Sequence, residues 1–489
     1  MYHISDLKKY NRCPRIPRLE ELVGKAPYQR YIRLDDEVTA LAAKKVGARN
    51  CFIGERGDPA ERAINALSTH EWLMKARFEY GGLRIKVPFL HRTKEGFDLY
   101  FLFIGLYPHS DDMQFYCDTV WVLESLGIPL SAIHMIHLNA SYVRGKELEP
   151  EKLFVVSDVF YNNRSRPGKP VEQAIREAMR DLTPLIEQMK ASEQEPLGKP
   201  VRSSRCAGRQ KCRYYTNCFP NETEEPDNSI LFLASSQHRY EMREEGIRSL
   251  QEADISRIEG SRMQYAQIMA DRNGGLFFDR LALTEWLKQL SYPITFLDFE
   301  WEHFAIPPYE GMKPFDVLLF EYSIHVLRED GTIQHEVFLS THDDRKALAE
   351  SLIRTIPKTG SVVAYNGIAA EMVRIRELAD LYPELAEELL AINERIADLQ
   401  EPFVMGLVYD VKMRGSWTLK QIMSVLEENS YTDLDIHHGM EAVFEWRHLD
   451  REEADIDREK IIEELKAYCS MDSYSTVRVY QWLASLVQE

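Results

Sequence analysis

The sequence predicts an α/β protein of more than one domain, and three observations predict it. The chain has 489 residues, too many for one hydrophobic core. Two strand-like runs, Leu83 to His91 and Phe97 to Leu106, flank the turn Lys94-Glu95-Gly96 as in a hairpin, with helical patterns on either side. From Tyr292 onward, strand patterns come first and then alternate with helical ones, the order of an α/β sheet with an antiparallel lead.

The elements follow in chain order. Residues 1–225 read as one domain. It opens with a helix from Ser5 to Tyr10 and continues with helical segments over 35–46 and 58–77. The hairpin comes next, then a helix over 113–126 that ends at Gly127, a strand from Ile133 to Leu138, and a helix over 171–190. A polar stretch with three cysteines closes the domain, and the run 222–228 reads as a linker. Residues 226–290 form a helical connector. Within it, residues 243–250 read as a turn between two short helices. In the third region, 291–489, strands are expected at 294–300, 316–327, 333–339 and 361–365, and helices at 343–356, 369–398, 418–426 and 457–486.

Composition narrows the function classes. There are 78 acidic against 60 basic residues, a net charge of −18. That excess argues against a non-specific nucleic-acid coat and leaves room for an enzyme with a local basic groove. The first residues lack a basic region followed by an apolar one, and the longest apolar stretch, Leu99 to Pro108, is about half a membrane span. A cytoplasmic protein without membrane contact is expected. Seven cysteines, an odd number in a long chain, point to ligation rather than a disulfide framework.

Three of the seven are clustered as Cys206-x5-Cys212-x5-Cys218, and Cys13 is the natural fourth in a similar Arg-Cys-Pro context. Four thiolates suit a [4Fe–4S] cluster, with zinc as the alternative; the plainer reading is a loop of surface cysteines. Cys51, Cys117 and Cys469 are expected to be buried and inert. Arg202, Arg205, Arg209, Lys211 and Arg213 make the cysteine loop basic, suited to phosphate contact, although a solvated charged loop reads the same way. A lone early cysteine followed late by three clustered ones resembles the iron–sulfur RecB-like nucleases, of restriction-endonuclease (PD-(D/E)XK) type. The segments Trp121 to Gly127 and His137 to Arg144 carry the likeness further, over roughly residues 1–220. The chain departs from that family at its catalytic strand. Where an acid-x-Lys is expected, Phe101-Leu102-Phe103 stands, and Thr119 replaces the family's glutamine. Asp98, Asp111 and Asp112 are nearby but lack the right partners. The resemblance therefore implies a degenerate RecB-like domain that does not cut.

The third region carries acids in a different pattern. Asp298 and Glu300 end the apolar run Ile294-Thr295-Phe296-Leu297-Asp298-Phe299-Glu300. Residues i and i+2 of a strand share a face, so both carboxylates point the same way. This pair resembles the first motif of RNase H-like, DEDD-type 3′–5′ exonucleases. Tyr468-x3-Asp472, on an expected helix, resembles the third motif in its tyrosine form. Between them, Ala364-Tyr365-Asn366 ends a strand and Glu371 opens a helix, resembling the second motif with Glu for Asp. Asp398 is a further acid often marked in this group, and Gly415-Ser416-Trp417-Thr418-Leu419-Lys420 resembles its S-x-LK segment. Over most of its length the chain is similar to a bacterial family that joins a RecB-like iron–sulfur domain to an RNase H-like exonuclease domain.

That resemblance implies a two-metal phosphodiesterase, with Mg²⁺ or Mn²⁺ held by carboxylate oxygen. Asp298 would bridge both ions, and Glu300 and Asp472 would each hold one. Glu371 would act through metal or water, and Asp398 is an added candidate ligand. Tyr468 would orient the attacking water, Asn366 would fix a carboxylate or a sugar, and Lys420 would meet a phosphate. His303, His437 and His438 are expected in loops or at the surface. The expected partners are nucleic acid, DNA ahead of RNA, and proteins of a defence or repair complex. The alternative is a non-enzymatic binding or scaffold subunit of such a complex.

Overall fold

Paired glycines set the first hairpin. Gly81 and Gly82 both take positive φ, 59° and 92°, and join two strands whose terminal residues Tyr80 and Leu83 face each other. A two-residue turn with both central φ positive matches the right-handed twist of its strands, and glycine adopts it without steric cost. The computed structural model describes residues 1–25, 35–207, 211–221, 225–426, 431 and 434–488. These form a mixed α/β protein in two compact units. One comprises Met1–Pro200, Cys212–Tyr214 and Phe304–Asp316; the other comprises Val201–Lys211, Tyr215–His303 and Val317–Glu489. The helical stretch between residues 226 and 290 is thus counted with the second unit.

The first unit holds strands β1 (Tyr2–His3), β2 (Cys51–Ile53), β3 (Trp72–Tyr80), β4 (Leu83–Arg92), β5 (Phe97–Phe103), β6 (Leu130–Leu138) and β7 (Phe154–Ser157) in one sheet. A small pair, β8 (Val159–Tyr161) and β9 (Pro167–Pro170), lies outside it. The sheet runs β2-β3-β4-β5-β6-β7, with β1 on β4; β5 and β6 are parallel, while β3-β4-β5 and β6-β7 are antiparallel. The helix Met113–Ser125 buries Val120, Val122 and Leu123 in a core shared with Phe78, Val87 and Phe101. One sequence expectation fails here. The helix expected over 58–77 stops at Thr69, because Trp72–Tyr80 is a strand of the glycine-turn hairpin. Local helical pattern yields to strand pairing.

In the second unit, β10 (Leu276–Phe278) pairs with the last strand, β16 (Val408–Asp410). The main sheet contains β11 (Ile294–His303), β12 (Val317–Leu327), β13 (Ile333–Leu339), β14 (Val362–Ala364) and β15 (Ile396–Asp398). Its order is β13-β12-β11-β14-β15; the first three strands are antiparallel, and β14 and β15 run parallel to β11. Alternation along β11 sorts its side chains. Leu297 and Phe299 join one core with Ile324, Leu348 and Ile375, while Ile294 and Phe296 join another with Val477, Tyr480 and Leu483. The second core is covered by the C-terminal helix Arg458–Gln488. The single helix expected over 369–398 is instead two, Glu371–Leu381 and Ala386–Asn393, followed by β15. Pro383 separates the two helices, since proline disfavours helix in the residue before it.

Among the described residues, no helix is long and apolar enough to cross a membrane.

Candidate metal centre

The centre is built where β11 runs out of apolar residues. Ile294, Phe296, Asp298 and Glu300 occupy one face in alternation, so the last two place carboxylates where the first two place hydrocarbon. The facing helix Arg458–Gln488 contributes Asp472, in the turn after Tyr468 and Cys469. One carboxylate oxygen each from Asp298, Glu300 and Asp472 lie within 4.8 Å of one another. Glu300 and Asp472 are buried and Asp298 is half-buried.

Charge crowding follows. Burial, then the charges of Asp472, Glu300 and Glu371, hold the Asp298 carboxyl well above the usual carboxylate range. Burial and then Asp472 push Glu300 up to about 8. Burial and the neighbouring Asp398 push Glu371 up to about 8. Asp472 is raised by burial, against a hydrogen bond from Tyr431 and the charge of Lys420. A group of buried acids that resist ionisation is electrostatically incomplete, and a divalent cation is a partner that would complete it. All the donor atoms of the triad are carboxylate oxygens, the donor set of hard cations such as Mg²⁺ and Mn²⁺.

The surroundings assign a place to each residue singled out in the sequence. Glu371 opens the helix Glu371–Leu381 and is buried, with Oε2 lacking a hydrogen-bond partner. Asp398 acts on backbone. Its Oδ1 accepts from the N–H groups of Asn366 and Gln400 at 2.8 and 2.9 Å, and its Oδ2 from Ile368 at 3.4 Å. It therefore fastens the turn that leads into Glu371, in which Asn366 takes a left-handed φ of 62°. The Asn366 side chain is exposed. Lys420 lies over the rings of Tyr431 and Tyr468, at 5.0 and 4.8 Å from their centroids, and donates to the Tyr468 hydroxyl at 3.2 Å. Tyr468 is buried, and burial and the acid charges keep its phenol protonated. His303, His437 and His438 are exposed.

Four residues around the centre escaped the sequence reading. Tyr431 donates to Asp472 Oδ1 at 2.6 Å. The Cys469 thiol, expected to be inert, donates to Asp298 Oδ2 at 3.5 Å. A Cβ on Gly439 would stand 3.5 Å from Glu300 Oε2, so the amino end of the helix Gly439–Asp450, which favours negative charge, comes up to that carboxylate. Glu321, on β12, is fully buried and is held well above the carboxylate range by burial and then by Glu300. A signal for Glu321 was present: it is an acid inside the apolar run Leu318-Leu319-Phe320-Glu321-Tyr322.

The cysteines fall as follows. Cys13, Cys206, Cys212 and Cys218 are half-buried and outside any disulfide. Cys13 caps the helix Ile4–Arg12 through its N–H to Lys9, and the Cys206 thiol lies 3.6 Å from the Ser203 hydroxyl. Cys51 is half-buried rather than buried, being on the edge strand β2. Arg202 lies over the Phe219 ring at 4.3 Å and Lys211 over Tyr215 at 4.5 Å. Arg213 is exposed, and Arg209 lies outside the described residues.

Residues 295–418 match a family model described as a domain of unknown function (DUF2779). That span includes Asp298, Glu300, Glu321, Glu371 and Asp398 and ends before Lys420, Tyr468 and Asp472. No curated protein and no solved structure matches the chain.

Proposed function

We propose that the protein is a metal-dependent phosphodiesterase, an exonuclease of RNase H-like DEDD type that acts on single-stranded or frayed nucleic acid through its second unit. The observation that carries this reading is the convergence of Asp298, Glu300 and Asp472, far apart in sequence, to within 4.8 Å on the sheet face under the C-terminal helix. The antiparallel lead of β11, β12 and β13 and the parallel β14 and β15 agree with the mixed sheet such a fold requires. Asp298, Glu300 and Asp472 would frame a seat for a divalent cation. A divalent ion bound there supplies Lewis-acid polarisation of a phosphoryl oxygen and a more acidic water.

The chain's own groups do the rest. Lys420, held over two tyrosine rings, offers a positive charge at the rim of the acids for a phosphate. The protonated Tyr468 hydroxyl orients a water beside Asp472. Asp398 positions the turn before Glu371, a role through backbone rather than through metal. The first unit is read as a RecB-like platform that does not cut, because β5 carries Phe101-Leu102-Phe103 in place of acid-x-Lys, with Phe101 fully buried. By donor type, the thiols of Cys13, Cys206, Cys212 and Cys218 suit an iron–sulfur cluster, with zinc as the alternative.

The test is cleavage of end-labelled single strands, DNA and RNA, with Mg²⁺ and with Mn²⁺. Wild type is expected to shorten the strands from the 3′ end, and Asp298→Ala and Asp472→Ala are expected not to. Equal signals from wild type and both variants would favour a binding or scaffold subunit instead.

A further inference from the structure

Glu321 is a carboxylate without a partner. It sits in β12, fully buried, and neither side-chain oxygen has a hydrogen-bond partner. Its register partner across the antiparallel pair is Glu300, just before a register shift between Glu300 and Trp301. Directly opposed residues share a face with Cβ atoms about 5 Å apart, so Glu321 is aimed at Glu300. Like charges in that position destabilise a sheet, and a buried polar group without a partner adds a further cost. Such a group in a native fold calls for an explanation, and a bound cation is one.

The neighbours on the same face sharpen the case. Ser323, two residues on, is bonded to Ser473 at 2.7 Å and lies 3.1 Å from His335 Nε2. His325, two further, bonds Ser473 at 2.9 Å. The polar row Glu321-Ser323-His325 is thus satisfied at every position except Glu321. Lys466 acts on Glu321 by its charge, but neither carboxylate oxygen is bonded.

We propose that Glu321 is a cation ligand: with Glu300 it forms an inner seat for a divalent ion, adjoining the seat framed by Asp298, Glu300 and Asp472. Glu300 has two carboxylate oxygens, one for each seat. The donors are all oxygen, which selects Mg²⁺ or Mn²⁺. This inference rests on the cation-binding part of the proposed function and not on phosphodiester cleavage.

The experiment is Mn²⁺ binding to the metal-free full chain, followed by calorimetry and by the electron paramagnetic resonance of free Mn²⁺, with thermal melting in parallel. Wild type is expected to take up two ions. Glu321→Gln keeps the shape and removes the charge. It is expected to lose one ion, or to bind it at least about tenfold more weakly, since even groups that only support a metal ligand are worth ~10–100-fold in affinity. Its metal-free melting temperature should equal or exceed that of wild type, because an opposed pair of acids is relieved, while the rise on adding Mn²⁺ should shrink. Glu321→Asp, which keeps the carboxylate but shortens its reach, should weaken the same ion. Glu336→Gln, an exposed acid of β13, should change nothing.

The same stoichiometry and affinity in wild type and in both Glu321 variants would overturn the inference while leaving the triad intact. No Mn²⁺ bound by wild type would overturn the inference and the proposed cation site together. Two ions bound with no cleavage would sink the nuclease reading alone.

Discussion

The two units each place a mixed sheet against a helix, and they use the buried face of that sheet in opposite ways. In the first, β5 presents Leu99 and Phe101, both fully buried, to a hydrocarbon core. The buried acid of the helix Met113–Ser125, Asp118, stands with one oxygen unpartnered and is pushed up by burial to about 6. In the second, β11 begins with the same kind of apolar alternation and then changes to Asp298 and Glu300, with Asp472, Glu371 and Glu321 brought to the same region. The lesson is energetic. One isolated acid can be tolerated by staying protonated, but several buried acids that repel one another are a standing cost. Such a cost persists where a function opposes its removal.

The largest expected effect separates the units by activity. Glu300→Gln should lower cation-dependent cleavage by roughly 10³-fold or more. Asp98→Asn in β5 should leave it unchanged, since Asp98 faces His91 rather than a second acid. A matching loss in the Asp98 variant would move the chemistry to the first unit and break the contrast.

Stability gives the next test. Arg447 and Glu302 form a buried ion pair at 2.5 Å, both less than a tenth exposed. Glu302 lies on β11 two residues beyond Glu300, so one acid of that strand already has its counter-charge within the protein. Arg447→Ala should cost ~3–5 kcal/mol in denaturant unfolding, because it leaves an uncompensated buried carboxylate. A loss under about 1 kcal/mol would mean that buried acids here are cheaper than the contrast requires.

Asp398→Ala is expected to cost less, ~1–3 kcal/mol, through the backbone N–H groups of the 366–368 turn and Gln400 that it frees. Activity should fall with it, because the turn leading into Glu371 loosens. Rescue of activity by Asp398→Asn, which can still accept hydrogen bonds, would fit positioning; failure of that rescue with stability restored would make Asp398 a ligand.

The smallest effect is a slope with pH. Glu300 and Glu371 have folded-state values raised to about 8 from an ordinary 4.5. Between those values the folded chain binds more protons than the unfolded chain. The stability these groups permit is therefore present in full below about pH 4.5 and is lost as pH rises toward about 8. Metal-free wild type should lose stability across that window more steeply than Glu300→Gln, and saturating Mn²⁺ should flatten the difference. A slope identical in both proteins would show that the acids are not crowded.

Much of this was legible in the sequence, and the rest was hidden for physical reasons. Alternation along Ile294 to Glu300 placed both carboxylates on one face, and the 457–486 helix carrying Asp472 was found within two residues of its observed ends at Arg458 and Gln488. The strand Trp72–Tyr80 was missed because its pattern resembles a helix until Gly81-Gly82 is read as a hairpin turn. Glu321 was missed because its meaning depends on register. Only pairing with Glu300 turns an acid in an apolar strand into part of the centre. Tyr431 has no signal in its own neighbourhood, since its contact to Asp472 spans 41 residues.

The most direct measurement is an anomalous difference map from crystals of the full chain soaked in Mn²⁺. Density is expected among the carboxylates of Asp298, Glu300 and Asp472, and its loss in crystals of Asp472→Asn. Well-ordered crystals in which Mn²⁺ binds elsewhere and that pocket stays without anomalous signal would contradict it.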